Sequence, residues 1–344
     1  MRGRSIAYLV SVVLLLMFSA GCKRIPLYDR STAVRIVIDQ NRELGHEIEF
    51  SYETDLEEHY QKKIDGTVPT YYEVLVYDEQ THNLHSSHIV GEYGGTLALF
   101  PGNYNFVIYS FGTESTQVDR LHHRHEAEAF TTDITALKSG ILKSAAMSKN
   151  GVDSKGYEDD PIIHEPDHLY VSNEQGVAID AFMGTGEEVV VYTTTSTILD
   201  VYSLEVLNIK GVENIEKIEA FITGQILSNH FGRPARNNEP ATLYVEMSTD
   251  VKNSRLYTVF NTFGKLPGEE NKIFLDITVT DSDGGQYRYI FDVTDQFDDP
   301  TNGNHKLIID GGDVIDIPKA EHAGGGFMPS VDEWEREDID VPLG

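Results

Sequence analysis

Cysteine, tryptophan and positive charge are all scarce in this chain. Of its 344 residues one is cysteine, Cys22, and one is tryptophan, Trp334. A single thiol excludes an intramolecular disulfide, so stability has to come from buried apolar cores. The 27 Lys and Arg stand against 56 Asp and Glu, a formal net charge of −29. Such a surface repels phosphate backbones and anionic lipid, which excludes nucleic acid as a partner. No apolar run reaches the ~20 residues of a membrane-spanning helix. The G-x-S-x-G elbow of secreted hydrolases is missing. Gly324-Gly325-Gly326 lacks the Lys-Ser/Thr that completes a phosphate loop, and Gly184-Thr185-Gly186 has no third glycine in register. No cofactor is expected from these patterns.

What is present starts at the N-terminus. Arg2 and Arg4 precede an apolar stretch from Ile6 to Phe18, and Ser19-Ala20-Gly21 leads into Cys22. A basic, then apolar, then small-residue order ending at a cysteine reads as a bacterial lipoprotein signal peptide over 1–21. Cleavage before Cys22 frees its thiol and new amino group for acylation, so the membrane is an expected partner through lipid at Cys22. Loss of Arg2 and Arg4 takes the formal charge from −29 to −31. Once acylated, Cys22 cannot act as a nucleophile.

Beyond the signal the chain reads as all-β. Short alternating segments rich in Val, Ile, Tyr, Phe and Thr are separated by turn residues. They fall at 33–39, 46–52, 71–77, 87–92, 96–100, 103–109 and 168–171 in the first half, and at 189–195, 197–209, 215–222, 241–247, 256–260, 272–280, 286–293 and 306–309 in the second. Tyr104, Phe106 and Ile108 share one face of their strand, after a Pro101-Gly102 turn. Asp281-Ser282-Asp283-Gly284-Gly285 predicts a tight hairpin. Residues 113–160 read as a long excursion with a short helix over 132–142. The spacing predicts a tether at 22–32, a β-sandwich over 33–186, a second over 187–320, and a Gly-rich acidic tail at 321–344.

Leu99-Phe100-Pro101-Gly102-Asn103-Tyr104-Asn105-Phe106 running into Tyr109-Ser110-Phe111-Gly112, then Pro166-Asp167-His168-Leu169-Tyr170-Val171, resembles the fimbrillin-like lipoproteins of Bacteroidetes. That resemblance implies two tandem transthyretin-like β-sandwiches in a lipid-anchored outer-membrane protein, exposed at the surface as a structural or anchoring subunit of fimbriae. It also implies a contribution to adhesion through a host or glycan receptor, and no catalytic residue. Subunits of this kind join other fimbrial subunits by strand donation, in which main-chain hydrogen bonds supply the affinity. The candidate exchanging segments are the first strand, with Ala33, Val34, Ile36 and Ile38, and the tail, where Ile339, Val341 and Leu343 alternate with polar residues or proline. In some members an arginine-directed protease removes the first strand. Arg24, Arg30 and Arg35 lie near it here, and Arg30 is the best placed.

Three rival readings arise from the residues themselves. His164-Glu165-Pro166-Asp167-His168 matches the H-E-x-x-H zinc-protease pattern, which works only on a helix. Pro166 breaks that helix and pushes Glu165 toward extended geometry, so these histidines are expected in a loop and at a strand edge. His122, His123 and His125 cluster in sequence, and His82, His85 and His88 recur at three-residue spacing. Both groups read as solvated, and no metal site is expected. Asp281-Ser282-Asp283 matches a calcium loop in outline only, because Gln286 stands where Gly is needed and Asp292 where Glu is needed. The alternative function is a surface glycan-binding lipoprotein, with Tyr71, Tyr72, Tyr77, Tyr93, Tyr104 and Tyr109 as candidate stacking residues.

Overall fold

In the computed structural model the described residues are 31–319, apart from 145–147, 150–156, 158, 181–187, 234, 269 and 300–302. The all-β expectation is borne out. Strands of the first part are β1 (Thr32–Gln40), β2 (Tyr71–Asp78), β3 (Leu84–Gly91), β4 (Gly94–Leu99), β5 (Gly102–Ser110), β6 (Thr116–Asp119), β7 (Glu128–Thr131), β8 (Ile162–Ile163), β9 (Tyr170–Ile179) and β10 (Glu188–Thr197). Helix α1 (Glu58–Asp65) lies between β1 and β2, and α2 (Thr135–Ser144) between β7 and β8. The second part holds β11 (Asp200–Leu207), β12 (Ile215–Ile226), β13 (Ser228–His230), β14 (Ala235–Arg236), β15 (Pro240–Val245), β16 (Ser248–Asp250), β17 (Arg255–Thr262), β18 (Phe274–Asp281), β19 (Gln286–Asp292), helix α3 (Thr294–Asp298) and β20 (Lys306–Asp310).

Seven strands close in the order β1-β10-β9-β5-β2-β3-β4. The ring is thin at two seams. Among the described residues β9 and β10 share only Ser196↔Val171 and Thr197↔Tyr170, and β3 and β4 share only Gly91↔Gly94. It is therefore flattened into two facing sheets, β4-β1-β10 and β3-β2-β5-β9. Val34, Ile36, Ile38, Leu97, Leu99 and Val191 of the first sheet meet Tyr72, Val74, Val76, Tyr104, Phe106 and Ile108 of the second in one apolar cluster. A second pair of sheets, β16-β17-β11-β20 and β19-β18-β12-β15-β8, encloses another core. Leu204, Val206, Leu256 and Phe260 pack there against Ile222, Leu243, Leu275 and Ile277.

Several expectations need correction. The boundary between 33–186 and 187–320 assigns the strand starting at Glu188 to the second unit, yet β10 runs parallel to β1 from Ala33↔Glu188 to Gln40↔Thr195. The join thus falls after Thr197, because the partner that buries Val191 lies in the first core. The alternation over 46–52 is real, since Ile48 and Phe50 pack with Tyr60, Val201, Tyr257 and Val259. It makes no strand ladder, because side chains take its backbone groups: Ser51 N–H donates to Glu205 Oε1 at 2.7 Å and Ser203 Oγ to Glu49 O at 3.4 Å. Within the 113–160 excursion, β6 and β7 form a sheet with β13 and β14, in the order β14-β13-β7-β6. Ala127 and Ala129 of this stretch, with Phe231 and Phe263, bury Leu75, Tyr77, Val107 and Tyr109 on the outer side of β2 and β5. β5 is therefore buried on both faces rather than one.

The hairpin at Asp281 forms as the sequence predicts. Asp281 N–H donates to Gly285 O at 2.9 Å, the N–H groups of Asp283 and Gly285 donate to Asp281 Oδ1, and Gly284 takes φ +83°. These bonds hold the Asp281 carboxyl below the usual carboxylate range.

Candidate strand-exchange site

β1 fills the centre of its sheet. It pairs in parallel with β10 and antiparallel with β4, from Thr32↔Leu99 to Val37↔Gly94. Strand periodicity turns alternate residues inward: Val34, Ile36 and Ile38 are at most 5% exposed, while Ala33 and Arg35 face solvent. Full burial stabilises each of these three apolar side chains by about 2 kcal/mol. The close approach of β4 depends on Gly94, at φ +100°, where an added Cβ would lie 2.0 Å from the Ile36 carbonyl oxygen. That requirement is legible in the sequence only as the Gly94-Gly95 pair, whose reason emerges once β1 is seen behind it. At the rim, Arg35 Nε pairs with Glu188 Oε1. Without β1, the facing edges of β4 and β10 would present unpaired backbone groups beside an apolar slot.

Cys22 and Arg30 lie outside the described residues, as do Trp334 and the tail residues Ile339, Val341 and Leu343. Of the proposed exchange residues, the structure places Val34, Ile36 and Ile38 together in the slot and turns Ala33 outward.

The H-E-x-x-H segment is extended and holds the two sandwiches together. Glu165 receives Lys63 Nζ from α1 at 2.8 Å and Asn261 N–H from β17 at 2.9 Å. Burial pushes its carboxyl up, against the pull of Lys63. Asn261 Nδ2 donates to Pro166 O at 3.1 Å, and Glu114 N–H donates to Asp167 Oδ2 at 2.6 Å. His168 Nε2 meets Lys63 O at 2.7 Å and Nδ1 meets Thr197 Oγ1 at 2.9 Å. A neutral ring serves both contacts, donating to the carbonyl and accepting from the hydroxyl, and burial lowers its pKa. His164 is exposed. The two histidines are committed to different surroundings, as Pro166 implies. Lys63 is a functional partner that sequence reading missed, since α1 carries too weak an apolar pattern to announce a helix.

Among the candidate tyrosines, Tyr72, Tyr77, Tyr104 and Tyr109 are buried, whereas Tyr71 and Tyr93 are 55% and 77% exposed. His85 and His88 lie on β3, where a three-residue spacing puts them on opposite faces.

The family described as Domain of unknown function (DUF5119) matches residues 61–246. A Bacteroides ovatus protein named as the fimbrium anchoring subunit Fim4B is 24% identical over 285 residues, covering 73% of this chain and 78% of its own. A solved structure described as an adhesin from Bacteroides ovatus covers 88% of this chain and 98% of its own, at 20% identity and a TM-score of 0.58, and shows that the fold is shared. The fimbrial anchor protein Mfa2 from Porphyromonas gingivalis covers 81% and 90% at 10% identity and a TM-score of 0.47. The resemblance read at residues 99–112 and 166–171 is borne out. With more than half of its length inside the family match, the chain belongs to the DUF5119 family.

Proposed function

We propose that this chain is a subunit of surface fimbriae with an anchoring role, joined to its neighbours by β-strand complementation and contributing to adhesion without catalysis of its own. The observation that carries this reading is β1, an N-terminal strand paired on both edges and supplying Val34, Ile36 and Ile38 to the core. Backbone pairing on two sides with alternate side chains in pockets is the chemistry of strand addition. The relative named as a fimbrium anchoring subunit supports the role. A retained β1 closes the chain's own slot, which suits a subunit that ends a filament rather than extending it. Acylation of Cys22 would tether it to the outer membrane, cleavage after Arg30 would release β1, and Ile339, Val341 and Leu343 would form the strand offered to a neighbour.

Extraction of the native protein in mild detergent, followed by unboiled gel electrophoresis and blotting, tests the reading. A heat-labile ladder, or co-migration with a larger polymer, is expected. A single monomeric band under every condition would sink it. Tyr71 and Phe111, both exposed with ring centroids 6.2 Å apart, favour a second reading as a glycan-binding lipoprotein. Saturable binding to a glycan array by a strictly monomeric protein would move that reading first.

A further inference from the structure

Two histidine groups far apart in sequence meet in the fold. The turn between β2 and β3 runs beside residues 120–126: Leu84 N–H donates to His122 O at 2.9 Å and Arg124 N–H to His82 O at 2.8 Å. Asn83 and His123 form an antiparallel bridge between them. This pairing stands His82, His123 and His125 together, with ring centroids 4.3, 5.5 and 6.1 Å apart. Three imidazoles holding one ion through metal–nitrogen bonds of about 2.0–2.1 Å place their centroids roughly 5 Å from one another. The observed spacing brackets that value.

A further observation points to a ligand. The Nδ1 atoms of His82 and His123 are both buried without a hydrogen-bond partner, a condition native proteins rarely leave unresolved. His82 sits at φ +59° in the turn between β2 and β3, a left-handed backbone that histidine enters more readily than most residues. Arg124, between two of the histidines, reaches toward Asn173 Oδ1 at 3.5 Å. The net charge of −29 attracts cations to the molecule as a whole.

We propose that His82, His123 and His125 form a binding site for a late first-row divalent cation of the Zn²⁺ type, with water in the fourth position. Imidazole nitrogen suits such ions, and three protein ligands with one open position is a stable arrangement for zinc. As the rings stand, the described residues present no group of three ligands already set about one point. Binding requires the rings to turn about their Cβ–Cγ bonds, and neither buried Nδ1 gives up a hydrogen bond in doing so. The ion would fasten the β2–β3 turn to the segment leading into β7.

Titration of the purified chain with Zn²⁺ alone by calorimetry tests the proposal, repeated with Co²⁺ to read ligand-field absorption. One saturable equivalent is expected. His82→Asn, which keeps a residue tolerant of left-handed backbone, and His125→Gln should each weaken it about tenfold or more, with strand content unchanged by circular dichroism. His85→Ala and His122→Ala should leave it unchanged. No saturable equivalent, full affinity in His82→Asn and His125→Gln, or equal loss in the His85 and His122 variants would each overturn the site, the last by assigning the signal to scattered surface histidines.

Discussion

His168 shows how one residue can match a catalytic pattern and serve structure instead. Buried at 7% exposure, it is hydrogen-bonded by both ring nitrogens, so charging it would cost one of those bonds as well as the desolvation of an imidazolium. Its folded pKa is lowered from 6.5, so below that value the unfolded chain binds more protons than the folded one and stability falls with acidification. His46 is lowered too, by burial and by the nearby His305, and adds to the same slope. Urea midpoints should therefore drop between pH 7.5 and 5.5, and His168→Gln should lose less over that interval than the parent. An equal drop in both would remove His168 from the account. Pro166 alone is enough, in the sequence, to rule out the zinc-protease helix. The pairing of Glu165 with Lys63 is not, since 102 positions separate them and no local pattern links the two.

At the scale of the element, β1 was the most legible segment, because a single buried face leaves the two-residue period intact. Its neighbours were not. Parallel pairing with β10 spans more than 150 positions and leaves no local trace, which is why strand spacing alone puts the boundary at 186/187. Gly94→Ala should loosen β1 without altering it, through the clash with the Ile36 carbonyl oxygen. A synthetic peptide of residues 31–41 meets the same clash there, so it should bind saturably to Ile36→Asp, which loosens β1 and leaves β4 and β10 unaltered, and not to the parent, as read by fluorescence anisotropy. Ala33→Lys on the parent, which points outward toward Glu188, should change stability by no more than about 0.5 kcal/mol. Failure of the peptide to bind a destabilised but folded Ile36→Asp protein would argue against exchange at this slot.

Across the whole molecule, the two sandwiches are interlocked. β8 pairs with β15, β7 pairs with β13, and α1 lies against β17 after the 41–56 segment has crossed from one core to the other. The segment 164–168 adds the bonds to Lys63 and Asn261. Elements exchanged in both directions leave neither unit with a complete surface, so scanning calorimetry should give one cooperative transition. Two separable transitions would show that each sandwich folds alone. The sequence read as two units because alternation reports which face of a strand is buried and says nothing of which core receives it.

Composition, periodicity and turn chemistry by themselves determined the all-β class, the alternation of β1, the hairpin at Asp281 and the failure of the metalloprotease pattern. Each rests on contacts a few residues apart, where backbone geometry and side-chain type leave few choices. Only the tertiary structure decided that β10 belongs with β1, that β5 is covered on both sides, that Lys63 meets Glu165, and that His82 stands beside His123 and His125. Those are pairings across long stretches of chain, selected by which combination buries the most apolar surface while satisfying the buried polar groups.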